Sequence, residues 1–219
     1  MRTPQRSPEV SFIYRKCCAS NLALGAWVEA VNEPPIGRGD VLDVPLSTSI
    51  TWQREIGVAR HEASHAVTAH VLGVSIASVS IDVPALISYV RPSDDAAKRV
   101  ALAVAGPIAD DLLAGVKPGT GVVEIRTTMR RIRSCRFGAC DSCAAAFDAL
   151  IAAGGAQASD RDVFRIIRRI ERRVIAFLEN PKTQIAVSAL ASALMEKGVL
   201  DGETAHEIIR AAGPAALEI

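Results

Sequence analysis

The chain has 219 residues, a formal net charge of +1, and is 49% hydrophobic and 22% charged. That length accommodates one sizeable domain with its own core, and the near-neutral charge argues against a protein whose main task is gripping nucleic acid. Aromatic residues make up only 4%, so Ala, Val, Ile and Leu must fill the core, a bias that leans towards helices.

No run of 18 apolar residues occurs, so no membrane span is expected; the nearest candidate, residues 100–116, is interrupted by Asp110 and Asp111. Basic residues (Arg2, Arg6, Arg15, Lys16) open the chain, but residues 19–31 are too mixed for a good signal peptide, and a cytoplasmic location is the expectation. Five cysteines form no even framework, which fits a reducing compartment.

In chain order, residues 1–50 are punctuated by Pro4, Pro8, Pro34, Pro35 and Pro45 and read as a loosely structured N-terminal segment, with one short amphipathic helix around 22–31 as the candidate element. A domain is expected over 51–212. Ser49 or Thr51 caps a helix to about residue 72, where Gly73 stops it, and Ile56, Ala59, Ala63 and Val67 form its apolar stripe. Residues 75–81 and 85–90 are β-branched and read as two strands separated by 82–84. Ser93-Asp94-Asp95 caps a second helix over 96–114, kinked by Gly106-Pro107. Residues 115–158 hold a Gly/Pro break, an Arg-rich stretch, a cysteine cluster and an Ala-rich turn, and have no clear element. A third helix runs from about 159 to 178, with its basic residues on a solvated face. Asn180-Pro181 breaks it, and two more helices follow over 183–197 and 202–211.

The chemistry-bearing feature is His61-Glu62-Ala63-Ser64-His65. Two histidines four residues apart on a helix project from one face, so both nitrogens reach one metal ion at about 2.0–2.1 Å. Glu62 lies one step round the helix, outside the ligand row. From there it can lean over the metal's open position and take a proton from a zinc-bound water of pKa about 7. Catalytic zinc usually has three protein ligands plus water. His70 is five residues past His65 and turned away, and His206 reads as packing in a terminal helix. The better third ligand is a carboxylate at the start of the third helix, Asp160 or Asp162, where the competing role is a helix cap.

The run Ala59-Arg60-His61-Glu62-Ala63-Ser64-His65-Ala66-Val67 is similar to the HEAGH segment of the peptidase domain of the cell-division protease FtsH. The strands at 78–82 and 85–90 resemble the pair that follows the zinc helix there. Ala105-Gly106-Pro107-Ile108-Ala109-Asp110-Asp111-Leu112-Leu113 resembles the family's AGRAAEEL helix. Ser159-Asp160-Arg161-Asp162-Val163 resembles the segment supplying the third zinc ligand, and Leu194-Met195-Glu196-Lys197 with Leu200-Asp201-Gly202-Glu203 is close to the closing LLEKETLDGEE stretch. The likeness spans residues 52–115 and 158–210. It implies a mainly α, FtsH-like helical peptidase domain with a small β-sheet beside the active-site helix. It further implies zinc held by His61, His65 and Asp162, with Asp160 as the alternative, and Glu62 as general base. Asp110 or Asp111 falls where the family has paired acids and suits a hydrogen bond to a ligand histidine. The second strand, through Ala85, Leu86, Ile87 and Ser88, is expected to align a peptide by backbone pairing.

The departures are informative. No Gly-x-x-x-x-Gly-Lys-Ser/Thr loop is present, so the implied metalloendopeptidase works without ATP on unfolded or flexible polypeptides, or with a separate unfoldase or adaptor. Ser64 stands where the family has Gly. A cysteine-containing insertion over about 115–158 carries Cys135, Cys140 and Cys143, whose spacing suits a second, structural metal lacking a fourth cysteine, or redox-labile thiols. The rival readings are a catalytically silent zinc-binding regulatory or interaction module, and a metal or redox sensor centred on the cysteines.

Overall fold

The computed structural model describes residues 12–15, 26–29, 56–82, 85–91, 93–119, 122–134 and 140–219. Within the N-terminal segment, β1 (Phe12–Arg15) pairs antiparallel with β2 (Ala26–Glu29), Phe12 opposite Glu29. This corrects the expectation of a helix around 22–31: the Ala-Trp-Val-Glu stretch, with an aromatic and a β-branched residue, is extended. The proposed caps Ser49 and Thr51 lie outside the described residues.

From residue 56 the architecture is mainly helical with a small antiparallel sheet. The order is α1 (Ile56–Val71), β3 (Ile76–Ser80), β4 (Leu86–Tyr89), α2 (Ala96–Leu113), α3 (Val122–Arg133), α4 (Asp141–Ala152), a 3-10 turn (Gly155–Gln157), α5 (Asp160–Glu179), α6 (Pro181–Lys197), β5 (Val199–Asp201) and α7 (Gly202–Ala212). No helix among the described residues is long and apolar enough to cross a membrane.

Helix α1 is buried almost all round, as a central helix must be. Ala59, Ala63, Ala66 and Ala69 are fully buried, and their small side chains let α2 and α6 approach closely on either side. Gly73, at φ 70°, ends the helix: its N–H bonds to the His70 carbonyl and the Val74 N–H to the Ala69 carbonyl, as a left-handed cap requires. The Asp95 carboxylate caps α2 by accepting from the Ala97 and Lys98 N–H groups at 2.8 and 3.3 Å, and Pro107 sits inside that helix.

The largest departure from expectation is residues 115–158. The stretch is not a loose insertion; it contains α3 and α4. Cys143, Ala146 and Leu150, spaced three and four apart, are buried with Ala145 and Ala149, and α4 packs against α2 and α5. The Ala run that read as a turn is a helix because its apolar stripe completes the core.

Helix α5 turns most of its basic residues to solvent, as expected. Val163, Ile167, Ile170, Val174 and Phe177 are buried, while Arg161, Arg165, Arg172 and Arg173 are exposed. Ser159 caps it and Asn180 caps α6 ahead of Pro181. The sheet order is β4-β3-β5, with Val79 opposite Ile87 and Leu200. Strand β5 has no counterpart in the sequence reading. It is held where α7 starts against β3: a Cβ on Gly202 would lie 1.8 Å from the Ile76 carbonyl oxygen, so only glycine fits.

His70 and His206 join α1 to α7, consistent with the packing roles expected. Their Nδ1 atoms are 2.7 Å apart, and His206 Nε2 accepts from the Ile76 N–H at 3.2 Å. That acceptance puts the proton of neutral His206 on Nδ1, where it donates to His70. Partial burial lowers both pKa values; the His206 and Arg210 charges act the same way on His70, and Arg210 does so on His206. The unfolded chain therefore protonates first as the pH falls through 6.5, and the pair's contribution to stability is complete above that value and lost below it. His206→Ala should lower stability to urea at pH 8, and its deficit relative to the parent should narrow by pH 5.

Candidate metal centre

Helix α1 presents His61 and His65 on one face, with ring centroids 4.8 Å apart and planes at 75°. Helix α2 crosses this face and orients both rings. His61 Nδ1 lies 2.8 Å from Asp110 Oδ2, and His65 Nδ1 lies 2.6 Å from the Leu102 carbonyl oxygen. A carboxylate and a carbonyl only accept, so both Nδ1 atoms carry hydrogen, and each neutral ring directs its lone pair out through Nε2. The two Nε2 atoms are 3.1 Å apart. The first turn of α4 then brings Asp141 Oδ2 to 3.1 Å from His61 Nε2 and 3.5 Å from His65 Nε2.

Two lone pairs and a carboxylate oxygen at these separations repel unless a cation lies among them. Zinc with tetrahedral bonds of about 2.0–2.1 Å has ligand atoms roughly 3.3–3.4 Å apart, so the observed triangle is close to one face of such a tetrahedron. Gly106 on α2 supplies the space. A Cβ built there would lie 2.4 Å from His65 Nε2 and 2.5 Å from His61 Nε2, and any side chain would fill the point where the two lone pairs converge. The residues fit a zinc ion with three protein ligands and one open position. Among the described residues, His61, His65 and Asp141 form the group of metal-ligating side chains close enough to share an ion.

Neither expected third ligand, Asp162 nor Asp160, is in that group. Asp162 is half-exposed: its carboxylate accepts from Ser159 Oγ at 2.6 Å and from Arg165 Nη1 at 2.8 Å. The Ser159 hydrogen bond, outweighing slight desolvation and helped by Arg165, holds its pKa below the ordinary value. Asp160 pairs with Arg133 Nη2 at 2.9 Å. Both lie in the first turn of α5 behind its cap, Ser159, where a negative charge suits the helix dipole. Asp141 opens α4 as Asp160 opens α5. The local signal, an acid at the head of an Ala-rich helical run, is present at Asp141 but is shared with ordinary caps.

Of the paired acids, Asp110 meets His61, while Asp111 accepts from the Gly119 N–H at 3.3 Å. Ser64 is fully buried and donates Oγ back to the Arg60 carbonyl at 2.8 Å, which satisfies its hydroxyl within α1. Arg60 and Ser64 also line a cavity of about 310 Å³ with Leu112 and Val187, on a different face of α1 from the histidines. The strand expected at Ala85, Leu86, Ile87 and Ser88 is β4, an edge strand of its sheet among the described residues. Cys135 lies outside the described residues; Cys140 caps α4, and Cys143 is buried within it.

The charges reinforce one another. Burial opposes protonation of His61, but its bonds to Asp110 and Asp141 outweigh this and raise its pKa to about 10. Burial also opposes a charge on His65, and Asp141 overrides it to raise the pKa. Asp141 is pushed up by burial and pulled well below the carboxylate range by the two histidines. Glu62 is raised, first by burial, against the lowering effect of both histidines. On β4, burial and then the Asp141 and Glu62 charges drive the Tyr89 hydroxyl upwards, so it stays protonated beside the site. Sequence reasoning did not single out Tyr89, since a lone tyrosine in a strand is ordinary core material.

Two outcomes follow. Asp110→Asn should weaken zinc affinity by about 10–100-fold, Asp141→Ala by more, and Asp162→Ala not at all, in competition with a chromophoric chelator. Metal-free His61 carries a proton at neutral pH that a metal must displace, so zinc affinity should rise about tenfold per pH unit between pH 6.5 and 8.5, with proton release visible in buffer-dependent calorimetry. No family model matches this chain, and neither does any curated protein.

Proposed function

We propose that this chain is a zinc-dependent metalloendopeptidase that hydrolyses peptide bonds in unfolded or flexible polypeptides. The observation that carries the reading is the convergence of His61 Nε2, His65 Nε2 and Asp141 Oδ2, with both Nδ1 atoms held as donors and Glu62 adjacent on the same helix. The resemblance of residues 59–67 and 105–113 to FtsH-type peptidase segments supports it. Zinc, when bound, supplies a Lewis acid that lowers the pKa of a coordinated water and polarises the scissile carbonyl.

The chain's own residues do the rest. Asp110 and the Leu102 carbonyl fix the tautomer and tilt of the two rings, so their lone pairs need no reorientation. Glu62 Oε takes the proton of the attacking water and returns it to the leaving amine, and its raised pKa places it nearer the working pH than an exposed glutamate. The outer edge of β4 offers backbone groups to an extended peptide, a mode that suits flexible segments rather than folded domains. Folded substrates then need a separate unfoldase or adaptor.

The test is purified protein loaded with zinc and assayed on an unfolded polypeptide such as casein. Glu62→Gln should keep stoichiometric zinc and lose about 10²–10⁴-fold in turnover, the usual worth of a positioned acid–base group. Stoichiometric zinc in a parent protein that cleaves nothing would overturn the peptidase assignment and leave a zinc-binding regulatory module.

A further inference from the structure

The third ligand lies inside a pair of cysteines. The run Cys140-Asp141-Ser142-Cys143 forms the start of α4: Cys140 is the N-cap, with extended backbone at φ −76° and ψ 158°, and Cys143 is in the first turn. Both side chains are thiols; Cys140 is partly exposed and Cys143 fully buried. Residues three apart at a helix start have Cα atoms about 5 Å apart by helix geometry, inside the 4.4–6.8 Å range that a disulfide spans. We propose that Cys140 and Cys143 form a reversible disulfide whose closure weakens metal binding at Asp141. The proposal deepens the metal-centre reading and rests on it.

The chemistry balances with a low-molecular-weight disulfide, such as oxidised glutathione, as oxidant. The sulfur of the partly exposed Cys140 attacks one sulfur of the reagent; the reagent's S–S bond breaks, and the first small thiol leaves carrying the Cys140 proton. The Cys143 sulfur then attacks the Cys140 sulfur; the mixed disulfide breaks, and the second small thiol leaves with the Cys143 proton. Two protein thiols are oxidised and one small disulfide is reduced to two thiols. The second step is intramolecular, so burial of Cys143 does not obstruct it.

Coupling to the metal follows from distances. Cys140 has extended backbone and Cys143 is helical, and a disulfide holds the two Cβ atoms at about 3.8 Å. Closure therefore restrains the backbone at both ends of the Cys140–Cys143 ring, and Asp141 lies inside that ring, next to the Cys140 anchor. Metal–ligand distances keep to within about 0.2 Å, so a backbone shift at Asp141 on closure costs affinity at the site beside both histidines. Linkage is reciprocal: a metal that holds Asp141 must oppose disulfide closure by the same factor.

The experiment uses the full chain, equilibrated in reduced and oxidised glutathione mixtures, with and without zinc. Alkylation and peptide mapping should find a Cys140–Cys143 disulfide, and chelator competition should give zinc affinity at least tenfold weaker in the oxidised protein. Cys140→Ser under the same treatment should keep the affinity of the reduced parent, and zinc should shift the oxidation midpoint of the parent towards more oxidising mixtures. Pairing of either cysteine with Cys17, Cys18 or Cys135 instead, or a Cys140–Cys143 disulfide that leaves zinc affinity unchanged, overturns the proposal. Reduced protein that binds no zinc overturns the metal centre and this coupling together, whereas zinc binding insensitive to the disulfide removes the coupling alone.

Discussion

Two imidazole lone pairs held 3.1 Å apart against a carboxylate oxygen are the arrangement on which the rest of this structure turns. Their hydrogens are committed on the far side of each ring, to Asp110 and to the Leu102 carbonyl. The near side can be neutral only if a cation completes it. Protons do so in the metal-free chain, which is why both histidines are basic and Asp141 acidic. A divalent metal does so with better geometry, since it satisfies three acceptors at once.

Keeping that arrangement constrains the surrounding fold. Three helices from distant parts of the chain must meet at one point, which requires small residues wherever backbones approach. On α1 these are Ala59, Ala63, Ala66 and Ala69, and on α2 Gly106, which leaves room directly over the two Nε2 atoms. The low aromatic content of the chain belongs to the same logic: thin helices rich in alanine pack closely enough for a carboxylate on one to reach an imidazole on the next. The sheet lies to one side, where burial and the Asp141 and Glu62 charges keep the Tyr89 hydroxyl of its edge strand protonated.

Burial tunes the same groups in different directions. Glu62 is raised because desolvation outweighs the histidines, whereas Asp141 is lowered because two direct contacts outweigh desolvation. Neighbouring carboxylates are thus tuned in opposite directions by their environment rather than by residue type. The position of Asp141 between Cys140 and Cys143 adds a dependence on the first turn of α4 that neither histidine shares, since both lie deep in a rigid central helix.

Local features were legible in the residues alone. The spacing of His61 and His65, the Gly73 stop, a cap within Ser93-Asp94-Asp95, the strand at residues 86–89 and a helix starting near residue 159 all depend on neighbours within a turn or two, and all are seen. Asp110 as the partner of His61 was also anticipated, as one of two adjacent acids. What sequence could not decide was which distant carboxylate meets the histidines. Asp141, Asp160 and Asp162 carry the same local signal, an acid at a helix start, and in each case the helix dipole is a sufficient reason for it. The choice falls to Asp141 because α4 packs along α2 and so points its N-terminus at α1, 80 residues away in sequence, while the start of α5 is tied to Arg133. Helix periods and caps are short-range physics and are written in the chain; the meeting of three helix faces is set by core packing, which only the folded structure decides.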